Sequence, residues 1–411
     1  MTEAVNDSEQ FVYDICSESF LSLWSYINPQ LQTSGKELCD VLVVCDPHVI
    51  VISVKDIQLK NTDDPSVDWS RWQRKAIEDS IKQIKGAIRR LNNSEYVVQK
   101  DGSQGLTLPL ASERIYHRLA VAFGGKREVP ISSSFEDNQF FHILDEQSVF
   151  LLLRHLDTIS DFVNYLIDKE AFLSNTSIII NGGEENLLAI YLHNNRQFPL
   201  EADMMILEDD LWEGISNKPE FKAKLQRDTE SYIWDRLIEV LCQDGFDGEN
   251  WIGPDMSDSE LAIRVLVKEN RFSRRMLGSA FKDFLELSKM GRVSSRCVQS
   301  MSGVGYIFFA YDSDSTLEER KGELLARCFA SLCQFHECFT VIGVGVNVPG
   351  QKPRYGYSSD LILLQTLNNQ WSEEDLRQAK YCRDELGFFK SPNKTHIHED
   401  EYPVLDNIDD T

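Results

Sequence analysis

Residues 35–91 constrain the fold of this 411-residue chain more than any other stretch. Two short apolar runs rich in β-branched residues, 41–44 and 49–52, are separated by an Asp-Pro turn, which predicts a β-hairpin. Residues 69–91 then repeat apolar side chains at close to helical spacing and predict one amphipathic helix. The apolar positions of that helix are Trp72, Ile77, Ile81, Ile84, Ile88 and Leu91. A hairpin followed by a long helix indicates a mixed α/β fold.

Such a hairpin places a carboxylate beside an ammonium group. Asp40 comes just before the first strand and Lys55 lies near the end of the second, so the two residues should be close in space. A carboxylate is a hard oxygen ligand of the kind that Mg²⁺ prefers. A lysine could orient an attacking water or stabilise charge on a scissile phosphate. The hairpin therefore predicts a set of groups able to hold a divalent cation and a water.

These residues resemble the core of the PD-(D/E)XK, or restriction-endonuclease-like, nuclease superfamily. Its pattern is an Asp on one strand, Asp/Glu-x-Lys on the next strand, and then a helix. The chain is most similar to bacterial nuclease-like proteins with Gly-Lys-Glu-Leu-Cys-Asp (here residues 35–40), a Ser-x-Lys strand (53–55), and a helix with Trp-x-Arg-(Arg/Lys)-Ala (72–76) and Ser-x-x-Gln (80–83). The resemblance implies a metal-dependent nuclease that cleaves DNA with Mg²⁺ or Mn²⁺, and a role in bacterial defence against phage or mobile DNA.

Ser53 departs from the superfamily pattern, which mostly has Glu or Asp at that position. A hydroxyl is a poor metal ligand beside a carboxylate, so a second carboxylate would have to come from elsewhere. Some enzymes of the superfamily recruit a Glu from the following helix, which makes Glu78 the candidate here. Glu18, on the preceding helix, and Glu37 are alternatives. Asp56 ranks lower, because it points to the opposite face of an ideal strand from Lys55.

The resemblance assigns roles to the remaining site residues. Asp40 would bind the metal with Glu78 or Glu18, Lys55 would position water, and Ser53 would hold water or a backbone group. In related nucleases a Gln on this helix approaches the active site, so Gln83 joins the catalytic set. An ideal helix places Glu78 and Gln83 on opposite flanks of the apolar stripe, and both flanks border the hairpin. Spacing alone leaves open which flank faces the cleft.

Charge limits where nucleic acid could bind. The net charge of −24 argues against nonspecific binding over the whole surface. Basic residues nevertheless outnumber acidic ones between residues 66 and 128, and a second basic cluster lies within residues 271–296. The residues expected to contact DNA are Arg71, Arg74, Lys75 and Lys82. Solvated helix faces are the usual fate of such runs, so that alternative stays open.

The rest of the chain predicts further regions around a nuclease-like domain at residues 1–150. Residues 151–290 read as mostly helical, 291–390 as a small α/β unit built on strand–helix–strand, and 391–411 as an acidic, disordered tail. Within the first domain, residues 1–9 are expected to be disordered and residues 11–27 to form the helix that carries Glu18.

Composition bears on location and on partners. The nine cysteines form no CxxC pair, and the sequence has neither an apolar leader nor a run long enough to span a membrane. We therefore expect reduced thiols, no membrane contact and a cytoplasmic protein. The alternative to a nuclease is a catalytically inactive nuclease fold that acts as a binding or scaffold module, through a protein partner or as a homo-oligomer.

Overall fold

The computed structural model describes most of the chain in two compact units, Met1–Phe221 (unit 1) and Lys222–Thr411 (unit 2). The described residues are 6–31, 35–127, 131, 133–199, 204–246, 256–292, 294–335, 337–352, 354, 359–366, 368–391 and 398–403. The mixed α/β class is confirmed. The boundaries expected at residues 150 and 290 fall inside the two units. None of the described helices combines the length and the apolar character needed to cross a membrane.

The described helices and strands have the following bounds. The helices of unit 1 are α1 (Asp7–Phe20), α2 (Pro65–Gln73), α3 (Asp79–Leu91), α4 (Glu146–His155), α5 (Ile159–Asn175), α6 (Glu184–His193) and α7 (Leu211–Ser216). Its strands are β1 (Ser25–Ile27), β2 (Val41–Cys45), β3 (His48–Asp56), β4 (Tyr96–Val98), β5 (Gln104–Thr107), β6 (Ile115–Phe123), β7 (Ser134–Glu136), β8 (Gln139–Asp145), β9 (Ser177–Ile180) and β10 (Met204–Leu207). Helix α8 (Pro219–Asp228) begins in unit 1 and ends in unit 2. Unit 2 continues with α9 (Tyr232–Phe246), α10 (Met256–Val267), α11 (Arg271–Lys289), β11 (Ser295–Gln299), β12 (Gly305–Tyr311), α12 (Leu317–Ser331), β13 (Thr340–Asn347), β14 (Ser359–Gln365) and α13 (Glu373–Asp384).

The main sheet of unit 1 has the strand order β1-β2-β3-β6-β8-β7. Strands β2 and β3 form the predicted antiparallel hairpin, with Val41 paired to Ile52 and Val44 to Val49. Strand β3 runs parallel to β6, and β6 runs parallel to β8. A parallel pair needs a crossover connection, which α2 and α3 supply between β3 and β6.

The predicted helix of residues 69–91 is confirmed, but it begins earlier and contains a wider turn. Asp64 caps it by accepting hydrogen bonds from the backbone N–H groups of Ser66 and Val67, and Pro65 occupies the first turn. A π-helical turn, Arg74–Glu78, joins α2 to α3. Such a turn holds one residue more than an α-helical turn, so it changes which side chains face the sheet beyond it.

Helices pack against both faces of the main sheet of unit 1. Side chains alternate between the faces of a strand, and Leu42, Val44, Val49 and Val51 share a buried cluster with Ile84 of α3. The intervening residues of β2 and β3 face the other layer, where α1 and α4 contact the sheet. By the same alternation, Asp40, Ser53 and Lys55 all belong to the face that α3 covers.

Unit 2 is built on a second sheet, with the order β11-β12-β13-β14. The predicted strand–helix–strand pattern is confirmed, because α12 connects the parallel strands β12 and β13. Leu324 and Cys328 of α12 pack with Ile307 on one face of this sheet. On the other face, the ring of Phe281 meets that of Phe308 edge to face, 5.0 Å between centroids.

Three arginines of the second basic cluster are buried in unit 2, whereas Lys282, Lys289 and Arg292 are exposed. Arg271 and Arg274 each place Nη1 2.7 Å from a carboxylate oxygen of Asp235, and Arg275 Nη1 lies 3.2 Å from Asp228. All three arginines are buried. They therefore form internal ion pairs and present no basic surface to DNA.

Part of the expected acidic tail is also ordered. Arg227 Nη2 donates to Glu399 at 2.8 Å, and Arg275 Nη2 donates to the backbone carbonyl of Asp400 at the same distance. Residues 398–403 therefore contact α8 and α11, because these arginines attract their carboxylates and carbonyls. Residues 392–397 and 404–411, also assigned to the tail, lie outside the described residues.

Candidate active site

Asp40 is the centre of a polar cluster at one end of the sheet in unit 1. Its register places it opposite Ser53, since Val41 pairs with Ile52, and only 2% of its surface is exposed. Its carboxylate accepts hydrogen bonds from Ser53 Oγ at 3.2 Å, from the backbone N–H of Val54 at 2.5 Å and from Gln83 Nε2 at 2.8 Å. These donors fix the orientation of a buried charge that would otherwise be costly.

Lys55 completes the predicted pair. Its Nζ lies 3.5 Å from Asp40 Oδ2, and 28% of its side chain is exposed. The neighbouring strand places the buried Ala120 beside Ser53 and the buried Ala122 beside Lys55, so apolar core borders the pair on that side. The ammonium is thus held by a buried carboxylate but can still be reached from solvent.

Gln83 shows which flank of the helix faces the site. Its Oε1 lies 3.0 Å from Ser53 Oγ, while its Nε2 donates to Asp40 Oδ1. The hydroxyl of Ser53 has one proton and two acceptors in reach, Asp40 and Gln83, so it can satisfy only one of them at a time. Gln83 therefore holds both Asp40 and Ser53 in place.

Glu37 brings a second carboxyl group to Asp40. Burial is the largest cause that raises the pKa of Glu37 from its ordinary 4.5 to about 7. The negative charge of Asp40, a hydrogen bond between the two carboxyl groups, and the charge of Glu9 act in the same direction, while Lys55 opposes them. At neutral pH much of the population therefore carries Glu37 as a neutral acid beside Asp40.

Glu9, near the start of α1, is the third carboxyl group. Burial and then the charge of Asp40 raise its pKa, whereas hydrogen bonds from Asn28 and Asn6 and the charge of Lys55 lower it. Asn28 Nδ2 donates to Glu9 Oε2 at 3.4 Å, and the backbone N–H of Asn28 donates to the carbonyl of Asp40 at 2.9 Å. The end of the sheet thus concentrates three acidic groups around one lysine.

The Glu37→Gln variant should be more stable than the native protein above pH 7. The native state binds more protons than the unfolded state between about pH 4.5 and pH 7, so its stability falls as pH rises through this window. Because Glu37 is exposed overall and water screens its charge, we expect an advantage of at most about 1 kcal/mol at pH 8 and none near pH 4.5. Urea unfolding at both pH values measures it. The exposed Glu78→Gln is the matched control, and an equal gain there would contradict the assignment.

Two predicted metal ligands lie apart from this cluster. Glu78 ends the π-helical turn and Glu18 lies on α1, and both side chains are exposed. Among the described residues, no hydrogen bond or ion pair joins either of them to Asp40. Asp56 points to the other face of the sheet, as expected, and accepts a hydrogen bond from Ser8 Oγ at 2.7 Å. The acids next to Asp40 are Glu37, an alternative from the sequence, and Glu9.

Glu9 was not among the predicted site residues, because residues 1–9 were expected to be disordered. The signal was present as Asn-Asp-Ser-Glu at residues 6–9, an N-cap residue followed by Glu three positions later. The Asn6 side chain accepts a hydrogen bond from the backbone N–H of Ser8 at 3.3 Å, which fixes the start of α1 at Asp7.

The predicted basic face of the helix is exposed. Its members are Arg71, Arg74, Lys75 and Lys82. Lys82 Nζ lies 3.0 Å from Asp79, a surface pair one helical turn apart. In the part of the chain that the structure describes, no three His, Cys, Asp or Glu side chains already stand in an arrangement that would hold a metal ion. A cation would therefore have to draw carboxylates together around Asp40.

Comparison with models of protein families, with curated proteins and with solved structures gives no match. The chemical groups of the cluster therefore have to indicate which ligands it can bind and which reactions it can support. Buried Asp40 supplies a fixed negative charge, Lys55 supplies protons and a positive charge, and Glu37 and Glu9 supply further oxygen atoms. Such a set can bind a hard cation and act on a phosphate ester.

Proposed function

We propose that unit 1 is a nuclease that depends on Mg²⁺ or Mn²⁺ and cleaves DNA phosphodiester bonds. The observation that carries this proposal is the 3.5 Å approach of Lys55 Nζ to buried Asp40 on one face of the sheet, beside two further carboxyl groups. Perturbed titratable groups gathered at one place are typical of functional sites. A role in defence against phage or mobile DNA stays a prediction from the resemblance.

The residues around Asp40 offer oxygen atoms of the kind that a hard divalent cation binds, although no three acidic side chains in the described part of the chain already form a cation site. Burial and the charge of Asp40 raise the pKa of Glu37 and of Glu9, which indicates an excess of negative charge that a cation would relieve. Asp40, Glu37 and Glu9 would hold the ion through oxygen atoms, the ligands that Mg²⁺ and Mn²⁺ prefer. When bound, the cation supplies positive charge that stabilises the negative charge developing on the phosphate.

Lys55 acts directly on the reacting groups. The half-buried side chain can donate a hydrogen bond to a phosphate oxygen or orient the attacking water, since an ammonium has three donors. Its contact with Asp40 holds the charge in position before substrate arrives, so little reorganisation is needed during the reaction.

Ser53 and Gln83 position the acid. Gln83 donates to Asp40, and the single hydroxyl proton of Ser53 goes either to Gln83 or to Asp40. The three side chains come from two strands and a helix, so the orientation of the Asp40 carboxylate depends on the packing of α3 against the sheet. Arg71, Arg74, Lys75 and Lys82 on that helical segment are the proposed contacts for the DNA backbone.

A cleavage assay on the full chain tests the proposal. The protein is incubated with supercoiled plasmid, linear duplex and single-stranded DNA in the presence of Mg²⁺ or Mn²⁺, with and without a chelator. We expect cleavage of at least one form that requires the cation and stops with the chelator, and none by Asp40→Asn. Cleavage that survives the chelator would contradict the proposal.

The alternative, a binding or scaffold module on an inactive nuclease frame, is favoured by one observation. Both carboxylate oxygens of Asp40 already accept hydrogen bonds from Ser53, Val54 and Gln83, which is how a purely structural buried acid would be satisfied. DNA binding without cleavage of any substrate form under either cation would support this alternative.

A further inference from the structure

A cleft of about 1200 Å³ runs along helix α12 in unit 2. It lies beside the carboxyl ends of the parallel strands β12 and β13, because Asp312 and Val348, the residues that follow these strands, both line it. In open α/β sheets, small ligands bind at the carboxyl ends of the parallel strands. The cleft is large enough for a small organic molecule.

One side of the cleft contains a buried arginine with unpaired hydrogen-bond donors. The guanidinium of Arg327 lies between the rings of Phe309 and Phe388, 3.9 and 4.2 Å from their centroids, and 9% of its side chain is exposed. Its Nη1 donates to the carboxylate and the backbone carbonyl of Glu323. Its Nε is buried without a partner in the described part of the chain, and its Nη2 donates to no described residue. An arginine fixed in this way at a cleft is typical of a site for a planar or tetrahedral anion.

The other end of the cleft offers carboxylates that helix α12 does not use. Thr316 and Glu319 form the capping box at the start of the helix, so Asp312 and Asp314 do not cap it. Both aspartates are exposed, and neither carboxylate pairs with any residue that the structure describes. The helix rises about 12 Å between its first turn and Arg327. The arginine and the aspartates are therefore separated by about the length of a small molecule.

We propose that this cleft binds a sugar phosphate of the size of a mononucleotide. Arg327 binds the phosphate through Nη2, together with the ammonium of Lys289, which also lines the cleft. Asp312 and Asp314 accept hydrogen bonds from sugar hydroxyls, as acidic residues near strand ends do in dinucleotide-binding folds. Glu323, whose side chain is 49% exposed, competes with the phosphate for Arg327. This inference is independent of the nuclease proposal, because all of these residues belong to unit 2.

Isothermal titration calorimetry on the full chain tests the ligand class. The titrants are AMP, GMP, CMP, UMP, ribose 5-phosphate, ribose and inorganic phosphate, with a chelator present so that no divalent cation takes part. We expect at least one sugar phosphate to bind about tenfold or more tightly than both ribose and inorganic phosphate. The inference is overturned if no sugar phosphate saturates the protein by about 5 mM, or if inorganic phosphate binds as tightly as the sugar phosphates.

Two substitutions with opposite expected effects test the assignment of Arg327. Arg327→Gln should weaken binding of the sugar phosphate about tenfold, because it removes the charged donor. Glu323→Gln should tighten binding severalfold, because it removes the competing charge. The matched control is Arg377→Gln on α13, which removes an exposed arginine paired with Glu374 and should leave binding unchanged.

Circular dichroism and the unfolding temperature check that each variant is folded. A folded Arg327→Gln that binds within twofold of the native value overturns the assignment, and so does weaker binding by Glu323→Gln. If Arg327→Gln does not fold, the direction of the change in Glu323→Gln decides. Cleavage of DNA plays no part in these outcomes, so failure of the nuclease proposal would leave the sugar phosphate site standing.

Discussion

Lys55→Ala should lower the rate of DNA cleavage about a thousandfold. Within the described residues, Lys55 is the one lysine whose ammonium pairs with Asp40, at 3.5 Å, and 28% of its side chain is exposed. Removing a group that stabilises transition-state charge, or one that moves a proton, typically costs about 10²- to 10⁴-fold. Single-turnover rates with saturating protein and Mg²⁺ measure the chemical step without the contribution of product release.

The matched control for this variant is Lys60→Ala. Lys60 is exposed on the loop after β3, five residues beyond Lys55. Its substitution by alanine removes the same charge from the chain. We expect its rate to stay within a fewfold of the native rate. Lys55→Ala should still fold, because the buried Asp40 carboxylate keeps its hydrogen bonds from Val54 and Gln83, and circular dichroism and the unfolding temperature check this. A folded Lys55→Ala protein with the native rate would remove the nuclease proposal.

The central pair could be predicted because it depends on local structure. A tight turn between two short strands fixes the register, and the register places Asp40 opposite Ser53 and near Lys55. Gln83 was a weaker prediction, since an ideal helix leaves two flanks open. Packing against the sheet, beyond a π-helical turn, decides between them in favour of the flank that carries Gln83.

The second acid could not be predicted from the helix alone. Glu78 follows Lys55 on the next helix, as a metal ligand of the resembled superfamily would, yet it lies on an exposed flank of that helix. Its position in the sequence therefore did not predict whether it lies near Asp40. Glu37 lies three residues before Asp40, and its chain segment is held by a bridge between Gln30 and Glu37. That bridge is a contact between chain segments, which propensity and periodicity do not report.

The buried arginines of unit 2 could not be predicted from the sequence either. Arg271 and Arg274 look like surface residues of a basic helix, but Asp235, more than thirty positions earlier in the chain, neutralises both. Glu399, more than a hundred positions later, reaches Arg275. Charge counts along a sequence cannot show such pairs, because the partners come together only when separate helices and the C-terminal segment pack.

Lys169→Met should destabilise unit 1 by about 3 to 5 kcal/mol. Lys169 of α5 is fully buried, and its Nζ lies 2.5 and 2.7 Å from the two carboxylate oxygens of Glu184 at the start of α6. Tyr165 also donates to Glu184, at 2.6 Å. Removing the lysine leaves a carboxylate in a low-dielectric interior without its counter-charge, which is more costly than the lost attraction alone. Urea unfolding of the full chain measures the change.

The double variant Lys169→Met/Glu184→Gln distinguishes this explanation from simple loss of packing. A neutral amide can still accept the hydrogen bond from Tyr165, and no unpaired charge remains, so the double variant should recover more than half of the lost stability. If the single variant costs less than about 1 kcal/mol, Lys169 and Glu184 are not a coupled buried pair. Because these residues lie on helices outside the Asp40 cluster, cleavage by the folded variants should be unchanged.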